Sequence, residues 1–181
     1  SLGYTKFDEP TESFTRATLA GKTALISKAA NMAVKKGMFL VISAGNSGAK
    51  EWGKVSPPGD AHGILTVGSV MRDSLISSFS SRGLTADLRI KPDVVALGSN
   101  SVLIDDKGVV SLKSGTSFSS PIMCGIVACL WQAYPSLTNL ELLDIIRESA
   151  DRAEDPSTTY GFGIPDMEKA MKLADELLDQ K

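Results

Sequence analysis

Two short polar runs have residue types and spacing that could do chemistry. In Gly115-Thr116-Ser117 a turn-permissive glycine follows a hairpin-like segment and precedes a long apolar one, so Ser117 would stand at a helix N-terminus. A hydroxyl there meets free backbone N–H groups and the positive end of the helix dipole. Those groups would stabilise negative charge developing on a carbonyl beside Ser117. A plain helix cap accounts for the same residues, because Ser and Thr are favoured at helix starts. The second run, Ser43-Ala44-Gly45-Asn46-Ser47-Gly48, directly follows an apolar stretch of strand length. The C-terminal end of a parallel strand is where α/β folds place ligand-contacting groups, and Asn46 could donate its side-chain amide to an oxyanion. Taken singly, Asn46 reads as a turn residue between glycines.

Both runs need elements to hold them. Residues 22–36 carry Leu25, Ile26, Ala29, Ala30, Ala33 and Val34 at helical spacing, with Gly37 as C-cap. Residues 38–44 are continuously apolar, the pattern of a strand buried on both faces. Helix, glycine and buried strand make half of a parallel βαβ unit. Residues 64–70 predict a second buried strand and 93–96 a short third. Segments 102–105 and 109–112 flank Asp106-Lys107-Gly108 as a hairpin. Residues 117–134 are apolar and rich in small side chains, with Pro135 closing them, which predicts a buried helix; Pro121 falls within about its first turn, where a missing N–H costs least. Thr138-Asn139-Leu140-Glu141 is a capping box opening a helix to about Ala150. Residues 167–178 place Met167, Ala170, Met171, Ala174, Leu177 and Leu178 on one stripe.

The chain of 181 residues fits one domain, long enough to bury roughly 70% of its unfolded surface. Its 43% hydrophobic and 22% charged residues are ordinary globular values. A net charge of −2 offers no basic excess for nucleic acid or anionic lipid, and 6% aromatics argue against a base-stacking surface. Cys124 and Cys129 lie five apart on different faces of the predicted helix, so they suggest neither a disulfide nor a metal site but two small buried apolar residues. A phosphate-loop reading of residues 45–50 fails on spacing, and Gly161-Phe162-Gly163 lacks a following helix at dinucleotide-binding spacing. No repeat or linker divides the chain. No signal peptide or membrane-spanning run is present; since the sequence opens on Ser1-Leu2-Gly3, in what reads as mid-domain, that absence is uninformative.

The full run Gly115-Thr116-Ser117-Phe118-Ser119-Ser120-Pro121 resembles the nucleophile motif of subtilisin-like serine proteases, where Gly-Thr-Ser-x-(Ser/Ala)-x-Pro opens the central helix. The resemblance implies that Ser117 is the nucleophile. Residues 43–48 are similar to the family's Ala-Gly-Asn-x-Gly loop, which implies that Asn46 is the oxyanion-hole amide. Ser1-Leu2-Gly3 resembles the family's substrate-binding strand, whose backbone pairs with an extended peptide. With Ser43-Ala44-Gly45 it would form the two walls of the pocket for the residue before the scissile bond, with a floor from the region 52–57. Phe79-Ser80-Ser81-Arg82-Gly83, Lys91-Pro92-Asp93-Val94-Val95-Ala96-Leu97-Gly98 and Tyr160-Gly161-Phe162-Gly163-Ile164-Pro165-Asp166 also resemble family segments, in the expected order. Leu97 stands where the family usually has Pro, and Asp166 where it often has Asn. Taken singly, Arg82 reads as a turn charge and Asp93 as a capping or ladder-end carboxylate. The resemblance runs from Ser1 to about Ala170 and is loosest over 4–23, an apparent insertion. The implied fold is α/β and subtilisin-like, a largely parallel sheet flanked by helices, with the N-terminal strands of the domain missing.

A serine nucleophile needs a base; the family uses a His oriented by an Asp, in the order Asp, His, Ser. Both would precede Ser1. His62 is the single histidine. It follows Asn46 and precedes the 64–70 strand, whereas the catalytic His should begin a helix upstream of Ser1, so it reads as a solvated loop residue. Residues 1–181 are thus expected to form the C-terminal portion of an incomplete single domain, from a serine endopeptidase, and to be inactive alone. The alternative is a non-catalytic pseudoprotease or peptide-binding module that retains the groove; retention of both Ser117 and Asn46 favours the enzyme. The chemistry requires no cofactor. Calcium binding is frequent in the family, but no ligand cluster here matches it residue by residue, so no metal site is assigned. The implied partners are an extended peptide or protein substrate, the N-terminal part of the same domain, and an oligomer formed through bare apolar surface. Family habit points to a secreted or periplasmic protein.

Overall fold

Apolar runs separated by glycine-containing turns pair into a small parallel sheet covered by helices. The computed structural model describes residues 3–9 and 13–181. In chain order these form α1 (Leu25–Lys35), β1 (Val41–Ser43), β2 (Leu65–Val70), β3 (Gly83–Leu84), β4 (Ile90–Lys91), β5 (Val94–Leu97), β6 (Ser101–Ile104), β7 (Val110–Lys113), α2 (Thr116–Ala133), α3 (Asn139–Glu148) and α4 (Met167–Asp179). The main sheet is parallel, ordered β1-β2-β5, with Val41 opposite Leu65 and Val67 opposite Val94. Alternation along β1 sends Val41 toward one core and Ile42 toward another. The larger core gathers Leu65, Val67 and Val94 with Met123, Val127 and Leu130 of α2, and continues into α3 and α4. On the other face Ala30 of α1 packs on Ala61 and Ile64. This is the α/β architecture that a parallel sheet requires.

The capping box forms as the sequence predicts: Thr138 N–H donates to Glu141 Oε2 at 2.8 Å, and Glu141 N–H returns to Thr138 Oγ1 at 3.3 Å. The departure at Asp166 is a working cap, accepting from Lys169 N–H at 3.0 Å. Asp93 sits where β2 and β5 begin their ladder. Its carboxylate accepts from Thr66 N–H, Lys91 Nζ and an Arg147 guanidinium nitrogen, all at 2.6 Å. Lys91 and Asp93 are each 1% exposed. Burial opposes ionisation of Asp93, but the charges of Lys91 and Arg147 and the hydrogen bonds outweigh it and hold the carboxyl below its ordinary range. Asp93 is therefore a ladder-end carboxylate, as the sequence suggested.

Four expectations change. Residues 38–44 yield only a three-residue strand whose side chains are half-buried; β1 is an edge of the described sheet, so its outer side has no neighbour. Helix α2 is buried on one side only: Ile122 is 41% exposed, and both Cys124 and Cys129 are exposed rather than buried. The buried side carries Thr116, Ser119, Ser120, Met123, Val127 and Leu130. In α1, Leu25 is 81% exposed at the edge of the predicted stripe. Pro121 is the sixth residue of α2 and not in its first turn, so its absent N–H denies the Ser117 carbonyl its helical donor.

Candidate active site

The loop after β1 needs glycine twice. Gly45 has φ +103°, and a Cβ at Gly48 would lie 2.1 Å from the Ser80 carbonyl oxygen, so only a bare backbone permits this approach. The loop rests on residues 79–81. Ser81 N–H donates to Gly45 O at 2.9 Å, Ser47 N–H to Ser81 Oγ at 3.0 Å, and Gly48 N–H to Phe79 O at 2.8 Å. The Phe79-Ser80-Ser81 run thus buttresses the Asn46 loop.

The start of α2 docks on that loop through Thr116, which is fully buried. Its N–H and its hydroxyl both donate to Asn46 Oδ1 at 2.9 Å, while Gly45 N–H donates to Thr116 Oγ1 at 3.1 Å. Gly115 N–H donates to Gly98 O, just past β5, at 2.7 Å. The helix start is therefore pinned between the C-terminal ends of β1 and β5. Two donors on Oδ1 fix which way the Asn46 amide faces, since only an oxygen can accept them. Nδ2 is turned toward Gly115, where a Cβ would lie 3.3 Å from it. Ser117, the second residue of α2, is half-buried. Among the described residues neither Nδ2 of Asn46 nor Oγ of Ser117 has a hydrogen-bond partner. Thr116 N–H and Phe118 N–H are taken, the latter by Gly115 O at 3.0 Å, so the arrangement presents the Ser117 hydroxyl, the Ser117 N–H and the Asn46 N–H₂ at one helix start, a geometry able to receive a carbonyl whose oxygen gains charge.

Of the residues expected to line a substrate groove, Ser1 and Leu2 lie outside the described residues. A Cβ at Gly3 would lie 3.3 Å from Ser56 Cβ, and one at Gly45 would lie 3.5 Å from Ser56 Oγ. Both glycines thus back onto Ser56, within the region expected to supply the floor. Ser43 ends β1 opposite Val67, and Ala44 N–H donates to Val67 O at 2.9 Å. His62 is engaged elsewhere: Nε2 lies 3.0 Å from Ala20 O and 3.6 Å from Asp87 Oδ2, and its N–H donates to Asn31 Oδ1 at 2.8 Å. It is a half-buried packing residue beside α1 and not a freely solvated one. Thr116 and Ser81 are the positioning residues that sequence reasoning missed, although both stand inside motifs it quoted. Among the described residues, no group of three or more His, Cys, Asp or Glu converges as a metal-ligand set, and no helix is long and apolar enough to cross a membrane.

Residues 1–164 match the sequence profile of the Subtilase family. The chain is 31% identical over 167 residues to the serine protease AprX of Bacillus subtilis (strain 168), covering 80% of this chain and 37% of that protein. Its fold superposes on the self-cleaved protease domain of PatA with a TM-score of 0.70 at 20% identity, over 97% of this chain and 58% of that one. The Clostridium perfringens CspB protease gives a TM-score of 0.60 at 26% identity, over 67% of this chain and 29% of that one. The chain thus spans less than two thirds of each of these proteins.

Proposed function

Because this chain belongs to the subtilase family, we propose that it forms the C-terminal portion of a serine endopeptidase domain and supplies the nucleophile and oxyanion hole of its active site. The observation that carries this reading is the clamping of Asn46 Oδ1 by Thr116, which leaves Nδ2 facing the start of the helix that bears Ser117. Ser117 Oγ attacks the peptide carbonyl, its proton passing to a general base and then to the departing amine. Asn46 Nδ2 and the helix N-terminus stabilise the oxygen that becomes negative. An extended peptide lies along Ser1, Leu2 and Gly3 on one side and Ser43, Ala44 and Gly45 on the other. His62, the chain's single histidine, is occupied by Ala20 and Asp87, so the base and its orienting carboxylate come from outside these 181 residues, and the 181 residues alone do not turn over. The chemistry needs no cofactor, and family habit places the protein outside the cytoplasm.

The test is labelling of the full-length protein with a fluorophosphonate. The expected result is a covalent adduct on Ser117, lost in Ser117→Ala. Absence of the adduct where a known subtilisin labels would favour a non-catalytic peptide-binding module instead.

A further inference from the structure

The segment between Gly3 and α1, which looked like an insertion in the sequence, walls a cleft of about 660 Å³. Thr5, Lys6, Arg16, Ser47, Lys50, Glu51 and Trp52 line it. Thr5 and Lys6 continue directly from Gly3, and Ser47–Lys50 continue directly from Gly45 and Asn46. Chain continuity therefore places the cleft next to the ends of the two proposed substrate walls.

The segment is held in shape. Tyr4, Phe7 and Phe14 stack edge-on with centroids 5.2 and 5.3 Å apart, and Phe14 N–H donates to Thr5 O at 2.8 Å. Arg16 begins a 3-10 turn, Arg16–Thr18, whose Thr18 hydroxyl closes back on Thr15 O at 2.8 Å. One guanidinium nitrogen of Arg16 donates to the carbonyls of Glu51 and Trp52, so the group is anchored by neutral acceptors and not by a carboxylate. Lys6 and Lys50 are exposed. Among the described residues, none of these three cations forms an ion pair. Three cations against the one carboxylate of Glu51 give the lining a net charge of 3 − 1 = +2, on a chain whose own net charge is −2.

We propose that this cleft is a specificity subsite for an acidic side chain, the Asp or Glu of the substrate residue that precedes the scissile bond. This rests on the reading of Ser117 and Asn46 as catalytic. An acidic side chain directed into this cleft meets Lys6, Lys50 and Arg16, whereas a basic one meets three like charges. Preference is thus set by repulsion as much as by attraction.

The experiment uses the full-length protein and quenched fluorescent peptides that differ only at the residue before the scissile bond, with the cleavage position verified by mass spectrometry. The expected kcat/KM for Glu exceeds that for Leu by about tenfold and that for Lys by more, given partly screened charges at contact distance. The gap narrows as salt is raised. Lys6→Glu and Lys50→Glu, at exposed side chains, each lower the Glu-to-Leu ratio and raise cleavage of the Lys peptide. If Ser117 takes up the fluorophosphonate but Leu or Lys peptides are cleaved as fast as Glu, or the ratio ignores Lys50→Glu, the acidic subsite is overturned alone. If Ser117 does not label, the catalytic reading falls and the subsite falls with it.

Discussion

The Asn46 carboxamide is oriented by a residue it does not neighbour in sequence: Thr116 lies 70 positions on, yet both its N–H and its hydroxyl hold Oδ1 at 2.9 Å. Asn46→Ala removes the Nδ2 donor. In the full-length protein it is expected to lower kcat about 10²–10³-fold with little change in KM, the cost of one donor that acts on developing charge. Thr116→Val deletes the hydroxyl but keeps the backbone N–H on Oδ1. It also strands Gly45 N–H, which donates to that hydroxyl at 3.1 Å. The expected loss is about tenfold, the scale of one net hydrogen bond, and Thr116→Ser restores it; steady-state kinetics on the three variants checks both. Ser117 and Asn46 were singled out by motifs that resemble the family's, because a serine at a helix start and an asparagine at a strand end read locally as a cap and a turn. Thr116 and Ser81 were not, because their partners are fixed only when distant segments meet. The half-burial of His62 escaped for the same reason: Ala20 and Asp87 reach it from both directions along the chain.

At the level of elements, local signals survived folding and statements about coverage did not. The capping box of α3 formed as written, because Thr138 and Glu141 need only each other. The apolar run 38–44 gave a strand, but periodicity cannot tell whether neighbours cover both faces, and β1 is half-buried. The Asp93 knot was visible as a ladder end, while its second cation, Arg147, comes from α3, 54 residues away. Asp93→Asn leaves Lys91 buried beside a neutral amide and is expected to destabilise the fold by about 3–5 kcal/mol, measurable by urea denaturation. The pH dependence has a definite sign. The folded carboxyl is held below its ordinary range, so its stabilisation is present above the unfolded value of about 3.9 and is lost as pH falls through the folded value. Urea midpoints of the wild-type chain should therefore drop on acidification below about pH 4, and those of Asp93→Asn should drop less.

For the whole molecule, the decisive feature is apolar surface that nothing in the described structure covers. On α2, Pro121, Ile122, Gly125 and Cys129 meet Met167 and Met171 of α4 around a groove of about 500 Å³. The hairpin adds a second face, where Val102 pairs with Leu112 and Ile104 with Val110, all between 60% and 71% exposed. Surfaces of this kind drive association in water, and the bare side of α2 is where apolar composition predicted burial. The isolated 181-residue chain is expected to self-associate at micromolar concentrations, with the apparent mass in sedimentation equilibrium rising with concentration. Ile122→Lys places a charge on the groove wall at a position already 41% exposed, so it should weaken association without unfolding the chain. Cys129 lines the groove while Cys124 does not, so maleimide reports which face is used. Cys129 should become protected as concentration rises and Cys124 should stay reactive. A chain that remains monomeric at tens of micromolar, with both thiols equally reactive, would show that the groove is not a contact surface.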